Sequence, residues 1–226
     1  MADLVSYSLD AGVATVAMDD GKVNALSPAM LAELGAALDR AEAEGAAVVL
    51  AGRPGVFSAG FDLAVLRALG AQTSTMLRAG FELAARLLGF PRPVVIACTG
   101  HAVAMGSFLL CAGDYRIGAA GEFRITANEV AIGLPMPYAA VEICRQRLSP
   151  QHLGRALALA ETFSPAGAVE AGFLDRVVEA EAVLPEAQQL ARASTALDAP
   201  AHAASKLRVR AAALEAIRAG IEADLG

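Results

Sequence analysis

The chain has 226 residues and no tryptophan, 5% aromatic residues, three cysteines, and lysine only at Lys22 and Lys206. Cys98, Cys111 and Cys144 lie far apart in apolar or mixed segments. They suggest neither a disulfide framework nor a thiolate metal site, and core thiols are expected. His101, His152 and His202 are too scattered for a zinc site and read as structural or surface histidines. A formal charge of -6 and a pI near 5.1 argue against a nucleic-acid partner. With so little lysine, contacts to an anionic ligand would fall mostly to arginine. No apolar run approaches the roughly 20 residues of a membrane-spanning helix, so no membrane partner is expected. The opening Met1-Ala2-Asp3-Leu4-Val5 lacks the basic and apolar regions of a secretory signal, which makes cytoplasmic the expected location.

What is present is apolar: 56% of residues are hydrophobic and 19% charged. Such a chain can bury enough surface to offset the entropy of ordering, and its length fits one domain or a domain with a small appendage. Alternation of Leu4, Tyr7 and Leu9, then Val13, Thr15 and Val16, about Asp10-Ala11-Gly12 predicts a hairpin. Ser27-Pro28 predicts a helix start, with Met30, Leu31, Leu34 and Leu38 as its apolar face. Ala46 to Ala51 and Val94 to Ala97 read as buried strands. Helical patterning covers Phe61 to Leu69 and Thr75 to Leu88, and Tyr115 to Ile117 and Phe123 to Ile125 read as short strands. Beyond Pro137 the pattern is mostly helical, with one strand at Leu174 to Val178 and an alanine-rich helical tail. The fold class is α/β, with a core over 1–185 and a short helical region over 186–226.

The usual nucleotide signatures are missing. No G-x-G-x-x-G follows a strand, and Gly52-Arg53-Pro54-Gly55 lacks the Lys-Ser/Thr of a phosphate loop. Ser58 and Ser107 lie in Gly-rich segments without a G-x-S-x-G elbow. Two small-residue loops remain, Ser58-Ala59-Gly60-Phe61-Asp62-Leu63 and Gly100 to Gly106, each following a buried strand and entering a helix. Small residues admit close backbone approach, and the first N–H groups of a helix have no intrahelical acceptor. Two such donors converging on one oxygen would stabilise an oxyanion, although tight turns built for geometry alone would show the same spacing.

The full text of these segments resembles the crotonase (enoyl-CoA hydratase/isomerase) superfamily. The resemblance runs through Lys22-Val23-Asn24-Ala25-Leu26, Pro54 to Leu63, Gly100 to Gly106, Asp114-Tyr115-Arg116-Ile117, Asn128 to Gly133, and Phe163-Ser164-Pro165 with Ala168 to Val178. It implies a crotonase-like spiral of β-β-α units with a helical C-terminal region. It also implies an acyl-CoA thioester substrate, no separate cofactor, and assembly as a homotrimer or dimer of trimers. By position it places the two oxyanion amides at Phe61 and Met105. Lys22, Val23, Ala25, Ser58, Ala59, Gly60, Asp62, Leu63, Gly106, Phe108 and Asn128 become candidate substrate contacts. Lys22 reads equally as an ordinary surface lysine.

Family hydratases use two glutamates. The first position holds Phe108 here, and the second matches Glu129. A single carboxylate in an apolar pocket suits removal of a proton from the α-carbon and its return to the γ-carbon. With the local text, this resembles the mitochondrial-type 3,2-enoyl-CoA isomerase branch, in which Glu129 would be the catalytic base in fatty-acid β-oxidation. An enoyl-CoA hydratase and a non-catalytic acyl-CoA-binding protein stand as alternatives. Glu122, Glu142 and Asp62 compete with Glu129 for the acid-base role, and Asp62 reads better as orienting its loop.

Overall fold

A computed structural model describes residues 3–226. Strand β1 (Val5–Asp10) turns back on β2 (Val13–Met18) through Ala11 and Gly12, both at positive φ, as a two-residue hairpin requires. Helix α1 (Pro28–Ala43) begins where the sequence signals it. The Ser27 side chain accepts from Met30 N, and Met30, Leu31, Leu34 and Leu38 are buried.

A repeating unit of two strands and a helical segment follows. Its first turn is β3 (Ala47–Ala51), β4 (Gly55–Ser58), α2 (Leu63–Ala68) and α3 (Ala71–Gly89). Its second is β5 (Val94–Cys98), β6 (Gly100–Val103) and α4 (Met105–Ala112). Its third is β7 (Tyr115–Ala119), β8 (Ile125–Thr126) and α5 (Tyr138–Arg145), with a single 3-10 turn over Val130–Ile132 between β8 and α5. Then come α6 (Pro150–Ala158), α7 (Pro165–Ala171), β9 (Arg176–Val178), α8 (Val183–Ser194) and α9 (Ala199–Leu225).

The first strand of each turn joins a six-stranded sheet, β1-β2-β3-β5-β7-β9, and the second joins a three-stranded sheet, β4-β6-β8. All pairings except β1 with β2 are parallel. Strands β3 and β5 are buried along their whole length, which explains their unbroken apolar text. One face of the larger sheet meets the main core under α1, α3 and α4. The other is covered by Val183, Ala187 and Ala191 of α8. The division at 185/186 falls inside α8, whereas α9 runs against α3 and α5.

Gly52 to Gly60 and Gly100 to Gly106, whose glycines read as loops, are in part strands, β4 and β6. Their hydrophobic alternation is too short to register. A side chain at Gly100 would stand 2.0 Å from the Gly55 carbonyl carbon, so glycine there permits the two backbones to pair as the chain steps between sheets. The strand expected over Phe123 to Ile125 instead spans Ile125–Thr126, and Phe123 packs edge-on against the His101 ring at 5.3 Å between centroids. All three cysteines are free and buried, as expected.

Candidate active site

Strands β4, β6 and β8 lie side by side and parallel, so their C-terminal ends open at one end of the small sheet. Ligand sites in parallel sheets form where such ends open. Phe61, Met105 and Glu129 stand two or three residues past Ser58, Val103 and Thr126, the last residues of those strands. Sheet register therefore brings together the three positions assigned to chemistry.

The first donor segment is held from two sides. Asn24, fully buried, donates from Nδ2 to the carbonyls of Met18 and Phe57. The Ser58 hydroxyl donates to Asn24 O and accepts from Gly60 N, Ala59 N donates to Val23 O, and Leu26 N donates to Gly60 O. Asp20 pins the adjoining turn by accepting from Lys22 N, Asn24 N and Ala25 N. Burial would raise its carboxyl, but those three bonds and nearby Arg53 hold it below the usual range. Asp62 caps α2 by accepting from Ala64 N and Val65 N. Lys22, Val23 and Leu63 are exposed beside this segment, and Ala25 is half-buried.

The second donor segment is fixed by β8, where Ala104 N donates to Thr126 O at 2.9 Å. Ala104 has φ 50° and ψ -126°, a conformation rare for a residue with a side chain, immediately before α4. Among the described residues, neither Phe61 N–H nor Met105 N–H donates to another backbone group. Gly106 packs on Ser58, and any side chain there would meet the Ser58 carbonyl oxygen at 2.4 Å. The side chains of Phe61 and Met105 point into the main core, consistent with main-chain roles.

Glu129 is 8% exposed, and it is the only carboxylate among the described residues that is buried. Its Oε2 has no hydrogen-bond partner, nor do the Oδ1 of Asn128 and the Oγ1 of Thr126. Three orphaned buried oxygens in four residues are costly unless a ligand satisfies them. Burial pushes the Glu129 carboxyl up to about 7, against a smaller opposing hydrogen bond within its own backbone. Phe108 is fully enclosed in the core. Of the rivals, Glu122 is exposed and Glu142 is paired with Arg145 at 3.1 Å. Sequence reasoning did not single out Asp20 or Thr126, because an isolated Asp in a turn and a strand threonine carry no pattern of their own.

Among the described residues, no group of three His, Cys, Asp or Glu side chains could hold a metal ion, and no helix is long and apolar enough to cross a membrane.

The family model for enoyl-CoA hydratase/isomerase matches residues 8–225. A solved structure of an enoyl-CoA isomerase from Mycobacterium tuberculosis is 52% identical, with a TM-score of 0.94 over 98% of this chain and 97% of that one. Another structure, described as the probable enoyl-CoA hydratase EchA3 of the same organism, is 51% identical, with a TM-score of 0.95 over 97% of this chain and 94% of that one. The human mitochondrial enoyl-CoA delta isomerase 1 is 32% identical over 185 residues, 80% of this chain and 61% of that protein. The chain belongs to the enoyl-CoA hydratase/isomerase family, with the crotonase fold its resemblance implied.

Proposed function

We propose that this enzyme is a Δ3-Δ2-enoyl-CoA isomerase of fatty-acid metabolism. The observation that carries this reading is the count of acids: among the described residues one carboxylate, Glu129, is buried, and Phe108 is enclosed in the core at the position of a hydratase's other glutamate. A carboxyl raised to about 7 by burial is ionised in part near neutral pH and basic enough to take an α-proton.

The Glu129 carboxylate removes a proton from C2 of a 3-enoyl thioester. The released electron pair delocalises into a dienolate, whose thioester oxygen accepts from Phe61 N–H and Met105 N–H. The protonated Glu129 then delivers the same proton to C4, and the double bond comes to rest between C2 and C3. No atom is gained or lost. The thioester acidifies the α-proton and the two amides stabilise the charge, so the reaction calls for no metal or redox cofactor. Asn128 and Thr126, with unpartnered oxygens beside Glu129, would contact the substrate or a water held with it. Lys22, Val23 and Ala25 would line the coenzyme A end, and the enzyme would work in the cytoplasm as a trimer or dimer of trimers.

The test is turnover of the wild type and Glu129→Gln on 3-hexenoyl-CoA and crotonyl-CoA, with products resolved by mass. Conjugation of the first substrate without hydration of the second, lost in the variant, is the expected result. Hydration of crotonyl-CoA would overturn the inference from Phe108, and binding without turnover of either would leave a non-catalytic acyl-CoA-binding protein.

A further inference from the structure

The segment Asp114-Tyr115-Arg116-Ile117 carries part of the family resemblance, yet no residue of it reaches the reacting groups. Asp114 instead stands just beyond the C-terminal end of α4, the helix whose N-terminus presents the Met105 amide. Its carboxylate accepts from Val94 N at 2.7 Å and from Lys206 Nζ at 2.6 Å, and it forms an ion pair with Arg210 Nη2 at 2.9 Å. Lys206 and Arg210 both belong to α9 and are both buried.

Two arginines and a glutamine amide also meet the carbonyls at that end of α4. Arg147 Nη2 donates to Gly113 O at 2.6 Å, Arg210 Nη2 lies 3.4 Å from the same oxygen, and Gln146 Nε2 donates to Cys111 O at 2.6 Å. Arg210 Nη1 donates to Leu88 O in the last turn of α3, at 2.8 Å. Positive groups on helix C-terminal carbonyls satisfy orphaned acceptors and complement the helix dipole. Here they also join α3, α4, α5 and α9 at one point. The surroundings are dry: burial pushes Arg147 down to about 10 and Lys206 down to about 8.

Helix α4 has eight residues, all buried, so it is a rod of about 12 Å with no slack along its sides. Its N-terminus must hold an amide where the enolate oxygen forms. We propose that Arg210 and Arg147, with Asp114, are positioning residues for the oxyanion hole: they clamp the far end of α4 and thereby set the Met105 N–H. The C-terminal helix α9 is then part of the active-site scaffold through Arg210. This inference rests on the oxyanion reading of Phe61 and Met105.

The experiment uses hexanoyl-CoA labelled with 13C at the thioester carbonyl, which has no double bond to shift or hydrate. Its carbonyl stretch is read by infrared difference spectroscopy when bound to wild type, Arg210→Met, Arg210→Lys and Arg147→Met, alongside kcat and KM on 3-hexenoyl-CoA. Arg147 is half-buried, and its variant keeps the test open if Arg210→Met does not fold. In wild type the stretch should fall to lower frequency than in free ester. In either Met variant, folded by circular dichroism, part of that fall should be lost and kcat should drop about tenfold or more with KM little changed. Arg210→Lys, which keeps the charge, should recover part of both. A full spectral shift and full kcat in folded Met variants would overturn the clamp and leave these arginines as helix caps alone. No shift in wild type would overturn the oxyanion hole itself.

Discussion

Gly60 and Met105 meet across the two donor segments: a side-chain carbon placed on Gly60 would stand 3.2 Å from Met105 N and 2.8 Å from the Ala104 Cβ. Gly60 also has φ +88°, a region that an L side chain enters only with strain. The glycine thus sets the direction of the Phe61 N–H beyond the end of β4 and keeps the space beside the Met105 amide clear. Gly60→Ala should lower kcat/KM by about 100-fold and stability by about 1 kcal/mol or more. Steady-state kinetics and a denaturant titration on the same sample check both.

Glu129 is held in a place that suits the uncharged acid. Between pH 4.5 and about 7 the unfolded chain is ionised at this residue while the folded chain is protonated, so the folded state binds the extra proton and loses stability as pH rises through that window. Moving the carboxyl from 4.5 to about 7 corresponds to roughly 3 kcal/mol at full ionisation. Glu129→Gln does not ionise, so it should match the wild type near pH 4.5, gain on it with rising pH, and level off above pH 7. Unfolding measured in urea at several pH values gives the difference directly. An inactive variant more stable than its parent is the expected result, and equal stability at pH 8 would show that Glu129 carries no burial cost.

How far this was legible from sequence follows from the length scale of each signal. The hairpin at Asp10 to Val13, the Ser27 cap and the unbroken β3 and β5 are set by neighbouring residues, and they stand where the sequence put them. Strands β4 and β6 are short, contain glycine and pair with each other across 45 positions, Gly55 with Gly100, so local text presents them as loops. Glu129 was reached through a family pattern. What the sequence could not show is that it alone among the described carboxylates is buried, because burial is decided by the whole packing. Asp114 was visible as a motif without a role. Its partners Lys206 and Arg210 lie 92 or more residues away, and only the docking of α9 brings them together.

Asp62 adjoins Phe61, whose amide is proposed for the oxyanion hole, and its carboxylate accepts two backbone N–H groups at the start of α2. Asparagine caps a helix about as well as aspartate, whereas alanine at such a position costs about 1 kcal/mol. Asp62→Asn should therefore keep kcat within about threefold of wild type. Asp62→Ala should lose the cap, loosen α2 and raise KM. A large loss of kcat in Asp62→Asn would place Asp62 in the chemistry and overturn its reading as a cap.

The base must be ionised to take the α-proton, which fixes the sign of the pH dependence. With the Glu129 carboxyl near 7 in the free protein, kcat/KM on 3-hexenoyl-CoA should rise tenfold per pH unit below that value and flatten above it, because kcat/KM follows the ionisation of free enzyme. The profile for kcat alone should turn at a higher pH, since bound acyl chain excludes further water and disfavours the charged form again. No second, falling limb belonging to a paired acid is expected on the alkaline side, because the same carboxyl gives back the proton it took. An inflection near 4.5 would mean that the carboxylate is solvated in the working enzyme. A bell-shaped profile would mean that a second group donates a proton, the signature of a two-acid hydratase rather than a single shuttle.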